Sequence, residues 1–208
     1  MKFVEAPSSD IAFTGTVKAI QSRLGSRKAY ARMEDKGGFQ TRITEDLAAF
    51  VAEQNSFFLA TANDVGQPYI QHRGGPKGFL RVLSDTTLAF ADYGGNRQYI
   101  SIGNLSDNAK VHLFLIDYVH KQRIKIWGEA TVVDTDPGLL ASLMPEGYEA
   151  RPERAIVVRV LAWDANCPQH IPRKLDAETV ATALAERDRR IEELERRLRR
   201  FEAEPSAG

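Results

Sequence analysis

Gly94-Gly95-Asn96-Arg97-Gln98 holds the residue types best suited to chemistry in this 208-residue chain. A strand-like run, Leu88-Ala89-Phe90-Ala91-Asp92, precedes it, and a short helix from Tyr99 to Leu105 is predicted to follow. A glycine-rich turn at a helix start presents backbone N–H groups where the helix dipole favours an anion. Arg97 adds a planar, permanently charged fork suited to a phosphate. The loop is a candidate cradle for a phosphorylated cofactor. A solvated Gly-Gly turn is the alternative, because short glycine-rich matches are weak signals.

Other reactive residue types give less. Cys167 and His170 stand three apart, which is at most half a metal site, and no second pair accompanies them. No metal site is assigned. A Cys–His nucleophile would need the two side chains close in space, which spacing alone does not establish. His112 and His120 read as strand and loop residues. Glu129, Asp92 and Asp117 lack the paired spacing of acid–base carboxylates, so no catalytic residue is assigned.

Composition narrows the classes. Hydrophobic residues make up 43% of the chain, enough for a core, and Lys+Arg and Asp+Glu both number 28. A balanced charge gives no signal of general affinity for nucleic acid or an anionic membrane. The single cysteine excludes an intramolecular disulfide and suits a reducing compartment. The start, MKFVEAPSSD, lacks the apolar core of a signal peptide. No apolar run approaches the ~18–20 residues that span a bilayer. A soluble, cytoplasmic protein is expected.

The elements that would position these residues fall into three regions: 1–43, an N-terminal helical arm; 44–175, a β-rich domain; and 176–208, a charged helix with a frayed end. The arm is predicted helical from Thr16 to Met33 with a break at Gly25. Thr44 is a predicted cap for a helix reaching about Gln54, with Leu47, Phe50 and Val51 on one face. Strands are predicted at 57–62, 67–72, 79–83, 88–91, 111–117, 123–133 and 155–163. Short β runs at hairpin spacing, without βαβ alternation, point to a small antiparallel barrel rather than a dinucleotide-binding sheet. In the tail, Val180, Leu184, Ile191, Leu194, Leu198 and Phe201 follow heptad steps interrupted at Arg187. That helix either pairs with a partner chain or lies on its own barrel. Its arginines alternate with glutamates and read as a solvated flank.

Four segments together resemble the pyridoxamine 5'-phosphate oxidase-related FMN-binding proteins. They are the hairpin FFLATANDVGQPYIQ; the turn His72-Arg73-Gly74-Gly75-Pro76-Lys77-Gly78-Phe79; the stretch LAFADYGGNRQYISIGNLSDNAKVHLFL; and the strand Arg123-Ile124-Lys125-Ile126-Trp127-Gly128-Glu129-Ala130. The resemblance covers Phe57 to Val133. It implies a split antiparallel β-barrel, mainly β with flanking helices, and a homodimer with FMN at the interface. It also implies a small-molecule substrate and an oxidoreductase. The implied cofactor-binding residues are His72, Arg73, Gly74, Lys77, Ala91, Asp92, Asn96, Arg97, Gln98 and Arg123. Arg97 would clamp the phosphate, with Asn96 and Gln98 hydrogen-bonding nearby unless Asn96 only caps the helix. Successive strand residues face opposite ways, so His72 and Arg73 would not enter by one route, and Arg73 is the better source of charge. Lys77 either closes over the phosphate or is a solvated turn lysine. Arg123 either reaches the flavin, often from the other subunit in that family, or is a ladder-edge arginine. Segment 166–173 would cover the pocket.

The chain departs from the true oxidases. Gln98 stands where their phosphate loop has a lysine, and Lys77 is displaced into a Gly/Pro turn. The similarity is to a branch outside the true oxidases. Leu24-Gly25-Ser26-Arg27-Lys28-Ala29 looks more like the oxidase loop, but it precedes every strand and is assigned to the arm. A non-catalytic flavin carrier or sensor, or a haem or deazaflavin binder on the same barrel, are the alternatives.

Overall fold

The computed structural model describes residues 6–165 and 167–203; positions 1–5, Asn166 and the 204–208 tail expected to fray lie outside them. Two compact units emerge, Met1–Asp117 with Gln122–Pro168, and Tyr118–Lys121 with Gln169–Gly208.

The larger unit opens with a 3-10 turn at Ser8–Ile11, then α1 (Gly15–Arg23) and α2 (Arg27–Glu34). Gly25, at φ +84°, makes the expected break between the two helices. Glu34 ties the arm together by accepting from Arg27 and pairing with Lys18 at 3.3 Å. The Arg27 hydrogen bond, outweighing burial, holds the Glu34 carboxyl below its ordinary range. α3 (Glu45–Ala52) begins at Thr44, whose hydroxyl accepts from the Leu47 N–H at 3.2 Å, as its sequence predicts. Leu47 and Val51 face inward.

The strands follow: β1 (Ser56–Ala62), β2 (Pro68–Gly74), β3 (Arg81–Ser84) and β4 (Thr87–Tyr93). Then come α4 (Ile100–Asp107), β5 (Lys110–Asp117), β6 (Gln122–Val133), α5 (Pro137–Leu143) and β7 (Pro152–Ala165). All strand pairs are antiparallel, in the order β2-β1-β5-β6-β7-β4-β3. The sequence reading missed α5, a short helix that Asp136 caps at the Leu139 N–H.

The sheet curls. β5, β6 and β7 separate β1 from β4 in sheet order. At ~4.8 Å per strand a flat sheet would hold β1 and β4 about 19 Å apart. Yet the rings of Phe57 on β1 and Phe90 on β4 meet edge to face at 5.1 Å, and Phe79 stacks on Phe57 at 5.6 Å. Leu59, Leu113, Ile126, Ile156 and Val158 fill the same core. The barrel stays split because its edge strands, β2 and β3, share no backbone ladder. Side chains bridge the gap instead: Arg73 of β2 donates to Asp92 of β4, and Arg154 of β7 reaches the same carboxylate at 3.4 Å. β4 is buried on both faces, with Leu88 and Phe90 in the barrel and Ala89 and Ala91 beneath Leu143 of α5.

β6 and β7 change register at Trp127/Gly128. There a Cβ on Gly128 would stand 2.6 Å from the Arg159 carbonyl oxygen and 2.9 Å from Val158 Cγ1. On the outer face His112 meets Trp127 edge-on at 5.0 Å. Burial, and after it the Lys125 charge, lowers the His112 pKa, so the ring favours its neutral form. Trp127 stacks on Phe39 at 5.1 Å, a packing role.

In the smaller unit, the Lys174 N–H donates to the Tyr118 carbonyl at 3.4 Å and its ammonium lies 3.9 Å from the Tyr118 ring centre. α6 (Ala177–Ala203) follows. No helix among the described residues is long and apolar enough to cross a membrane.

Two substitutions test this architecture. Asp92→Asn keeps the shape but leaves Arg73 and Arg154 without their shared charge, and should cost about 3 kcal/mol in chemical denaturation. Gly128→Ala should cost about 1–3 kcal/mol, because the facing carbonyl belongs to a ladder and cannot retreat freely.

Candidate functional site

The seam between β2 and β4 opens into two adjoining cavities of about 240 and 180 Å³. Both are bordered by Gln71, Arg73 and Tyr93. The strand pleat explains the selection from β2. Tyr69, Gln71 and Arg73 alternate along it, and all three line the larger cavity. His72 points to the other face, meets Phe58 edge-on at 5.7 Å, and borders only the smaller cavity, with Gly74, Phe79, Phe90 and Ala91.

The loop after β4 forms the outer wall of the larger cavity through Asn96, Arg97 and Gln98. Its geometry differs from the expected glycine cradle. Left-handed backbone falls on Arg97 (φ 58°) and Tyr99 (φ 53°), not on Gly94 or Gly95. Such conformations cost bulky residues on the order of 1–3 kcal/mol and cluster at ligand clamps. Gly94 instead donates its N–H to the Arg151 carbonyl at 2.9 Å, which ties the loop to the start of β7. Tyr99, not Asn96, is the N-cap of α4. Asn96 closes a local turn by accepting from the Gln98 N–H at 3.2 Å. The anion-attracting end of α4 therefore lies beyond the glycines.

α4 is itself anchored to the β1–β2 hairpin by two polar contacts. Ser101 Oγ donates to Gln71 Oε1 at 2.9 Å, and Asn104 Nδ2 donates to Thr61 Oγ1 at 2.9 Å. Loop and strand thus hold a set distance across the cavity.

The charges around it are unequal. Asp92 is occupied by Arg73 and Arg154, and Glu153 pairs with Arg154 at 3.2 Å. Arg97 is exposed and has no ion pair among the described residues. Two buried polar atoms on the wall, Arg73 Nε and Tyr93 Oη, have no hydrogen-bond partner. Burial, reinforced by the nearby Tyr148, raises the Tyr93 pKa, so its hydroxyl keeps its proton and remains a donor. An uncompensated guanidinium plus orphaned donors suits a ligand with an anionic end and polar acceptors.

Of the residues singled out in sequence, His72, Arg73, Gly74, Ala91, Asp92, Asn96, Arg97 and Gln98 border one cavity or the other. Lys77 and Arg123 border neither. Lys77 pairs with Glu53 at 2.9 Å. Arg123 is on β6 opposite Ile116, with a buried Nε that has no partner. Arg27, in the loop-like sequence of the arm, is bound to Glu34 and to Gln21 at 2.9 Å. Cys167 is exposed, and no group of three metal-ligating side chains forms among the described residues. Tyr69 and Gln71 were missed, although their period-two spacing before Arg73 was visible. Glu153 and Arg154 had no such signal, because only the β4–β7 register puts Arg154 opposite Asp92.

Among solved structures, similarity extends to HupZ of Group A Streptococcus, at 18% identity, TM-score 0.49, and coverage of 64% of this chain and 99% of that one. An FMN-binding protein from Syntrophomonas wolfei matches at 14% identity and TM-score 0.49, covering 70% of this chain and 97% of its own. An FAD binding protein from Mycobacterium smegmatis matches at 16% and TM-score 0.42, with 61% and 97% covered. No curated protein sequence matches. The family profile described as pyridoxamine 5'-phosphate oxidase matches residues 43–167. That match runs from the end of the arm through α3 and all seven strands, more than half of the chain, and it makes this protein a member of the pyridoxamine 5'-phosphate oxidase family.

Proposed function

We propose that this protein binds FMN at the β2–β4 seam and acts as a flavin-dependent oxidoreductase outside the true oxidase branch. The observation carrying this reading is the unpaired Arg97 facing a cavity whose wall holds two orphaned donors, Arg73 Nε and Tyr93 Oη. Arg97 holds the phosphate, with the Gln98 and Asn96 side chains beside it. Arg73 donates from Nε while Asp92 fixes its other end. Tyr93 donates its hydroxyl. Bound flavin supplies hydride or electron transfer at its isoalloxazine ring, and the protein positions it and tunes its potential.

A second copy of the chain completes the site in this reading. Ligand pockets of about 300–1,000 Å³ are usual, and neither cavity reaches that alone. The outer face of β1 and β2 exposes Phe58 (38%) and Ile70 (63%), apolar surface of the kind that homodimers cover. Arg123, on that same outer side of the sheet, is assigned to the flavin of the second copy.

The test is the absorption spectrum and the mass of the cofactor released from purified protein. A flavin spectrum and the mass of FMN are expected. Colourless protein that takes up no FMN on titration overturns the reading, and a Soret band on haem addition replaces it. Arg97→Ala should weaken FMN binding roughly ten- to a hundredfold, the loss of a charge-assisted hydrogen bond, and Arg27→Ala less than about twofold. If Arg27→Ala strips the flavin and Arg97→Ala does not, the phosphate assignment is wrong.

A further inference from the structure

Every residue of α6 from Ala177 to Phe201 is exposed, although the helix is 27 residues long. Helices in water draw most of their stability from packing an apolar face. α6 has such a face. Leu184, Ile191 and Leu198 recur every seven residues, and Val180, Leu194 and Phe201 fill the second heptad series with Arg187. Their exposures run from 39% at Val180 to 79% at Phe201.

We propose that α6 pairs with α6 of a second copy of this chain as a parallel, in-register, two-stranded coiled coil. The argument rests on the flanking charges. With Leu184, Ile191 and Leu198 at a, and Val180, Arg187, Leu194 and Phe201 at d, the g positions hold Arg190 and Arg197. The e positions hold Asp188 and Glu195. In a parallel pair each g residue faces the e residue five places on in the other helix, so Arg190 meets Glu195 of the second copy. In an antiparallel pair g faces g and e faces e, which sets arginine against arginine and acid against acid. Flanking charges of this kind select partner and orientation.

Within one helix Arg190 donates to Glu193 at 2.6 Å, and Arg199 lies 3.6 Å from Glu195. These side chains are about half exposed, so such pairs contribute little and exchange readily for contacts between helices. Arg187 sets the strand number. A d side chain in a two-stranded coil has a path to solvent beside Asp188 at e, whereas trimers and tetramers enclose it. A single polar core position also fixes register at some cost in stability.

Full-length protein with Cys167→Ser, to remove the exposed native thiol, carries one added cysteine. Under mild oxidation Val180→Cys should form a disulfide-linked dimer at least about tenfold faster than Arg189→Cys, which lies on the outer side of the helix. Glu195→Arg should slow Val180→Cys crosslinking about tenfold by placing Arg opposite Arg190. Arg190→Glu with Glu195→Arg should restore it, because the exchanged charges again face each other only in the parallel pair. Equal rates for Val180→Cys and Arg189→Cys overturn the proposal. So does preferential crosslinking of Val180→Cys to Leu198→Cys in a mixture, which signals antiparallel pairing, where each d position faces an a position. FMN content read from the same samples tests the flavin reading separately: loss of flavin with crosslinking intact counts against that reading alone.

Discussion

The Asp92 carboxylate, shared by Arg73 and Arg154, links β2 to β4 and β7 near the open edge of the sheet, where the described residues form no ladder from β2 to β4. Around the rest of the barrel each strand is held by its neighbour's ladder. Between β2 and β4 there is none, and the two sides of the split are held by the Phe57–Phe90 contact between β1 and β4 and by the ion pairs of Asp92 with Arg73 and Arg154. Because all three ionic side chains are largely buried, removing one partner would leave charge in a poorly solvated place. The split therefore keeps a defined width, which is what a cavity at that position needs.

The same interaction organises the chemistry. Satisfying Asp92 uses one end of Arg73 and leaves its buried Nε without a partner, and the pairing of Arg154 with Asp92 and Glu153 occupies both cavity carboxylates. What remains uncompensated is Arg97, on a loop whose strained backbone is fixed from two sides. Gly94 is bound to the β7 start, and α4 is bound to β1 and β2 through Asn104–Thr61 and Ser101–Gln71. A buried polar pair of this kind resists displacement, since separating it leaves unsatisfied groups on both sides. The loop thus faces the seam as part of the scaffold.

Much of this was legible in the chain. The runs 57–62 and 123–133 read as strands from their β-forming residues and hairpin spacing, and the structure alternates their burial as a half-buried strand does. Thr44 marked a helix start because its hydroxyl can replace a missing backbone partner. The loop at 94–98 was marked by its glycines and arginine, but the reason differed. The glycines invited an expectation of a backbone cradle at the helix start, whereas the left-handed residues are Arg97 and Tyr99, and α4 starts after Tyr99, whose side chain makes no cap hydrogen bond. α5 was overlooked because its short apolar run, Pro137–Leu143, shows too few turns to reveal a helical period.

Local order along the chain set the strand and helix sequence, the absence of βαβ crossovers and the position of the loop between a strand and a helix. Those features follow from side-chain periodicity and turn residues, which act over a few neighbours. The curl that joins β1 to β4, the pairing of Asp92 with Arg73 and Arg154, and the exclusion of Lys77 from the cavity were decided only in three dimensions. Each depends on which strands become neighbours and in what register, and residues 19 and 62 positions apart carry no mark of that meeting in the chain.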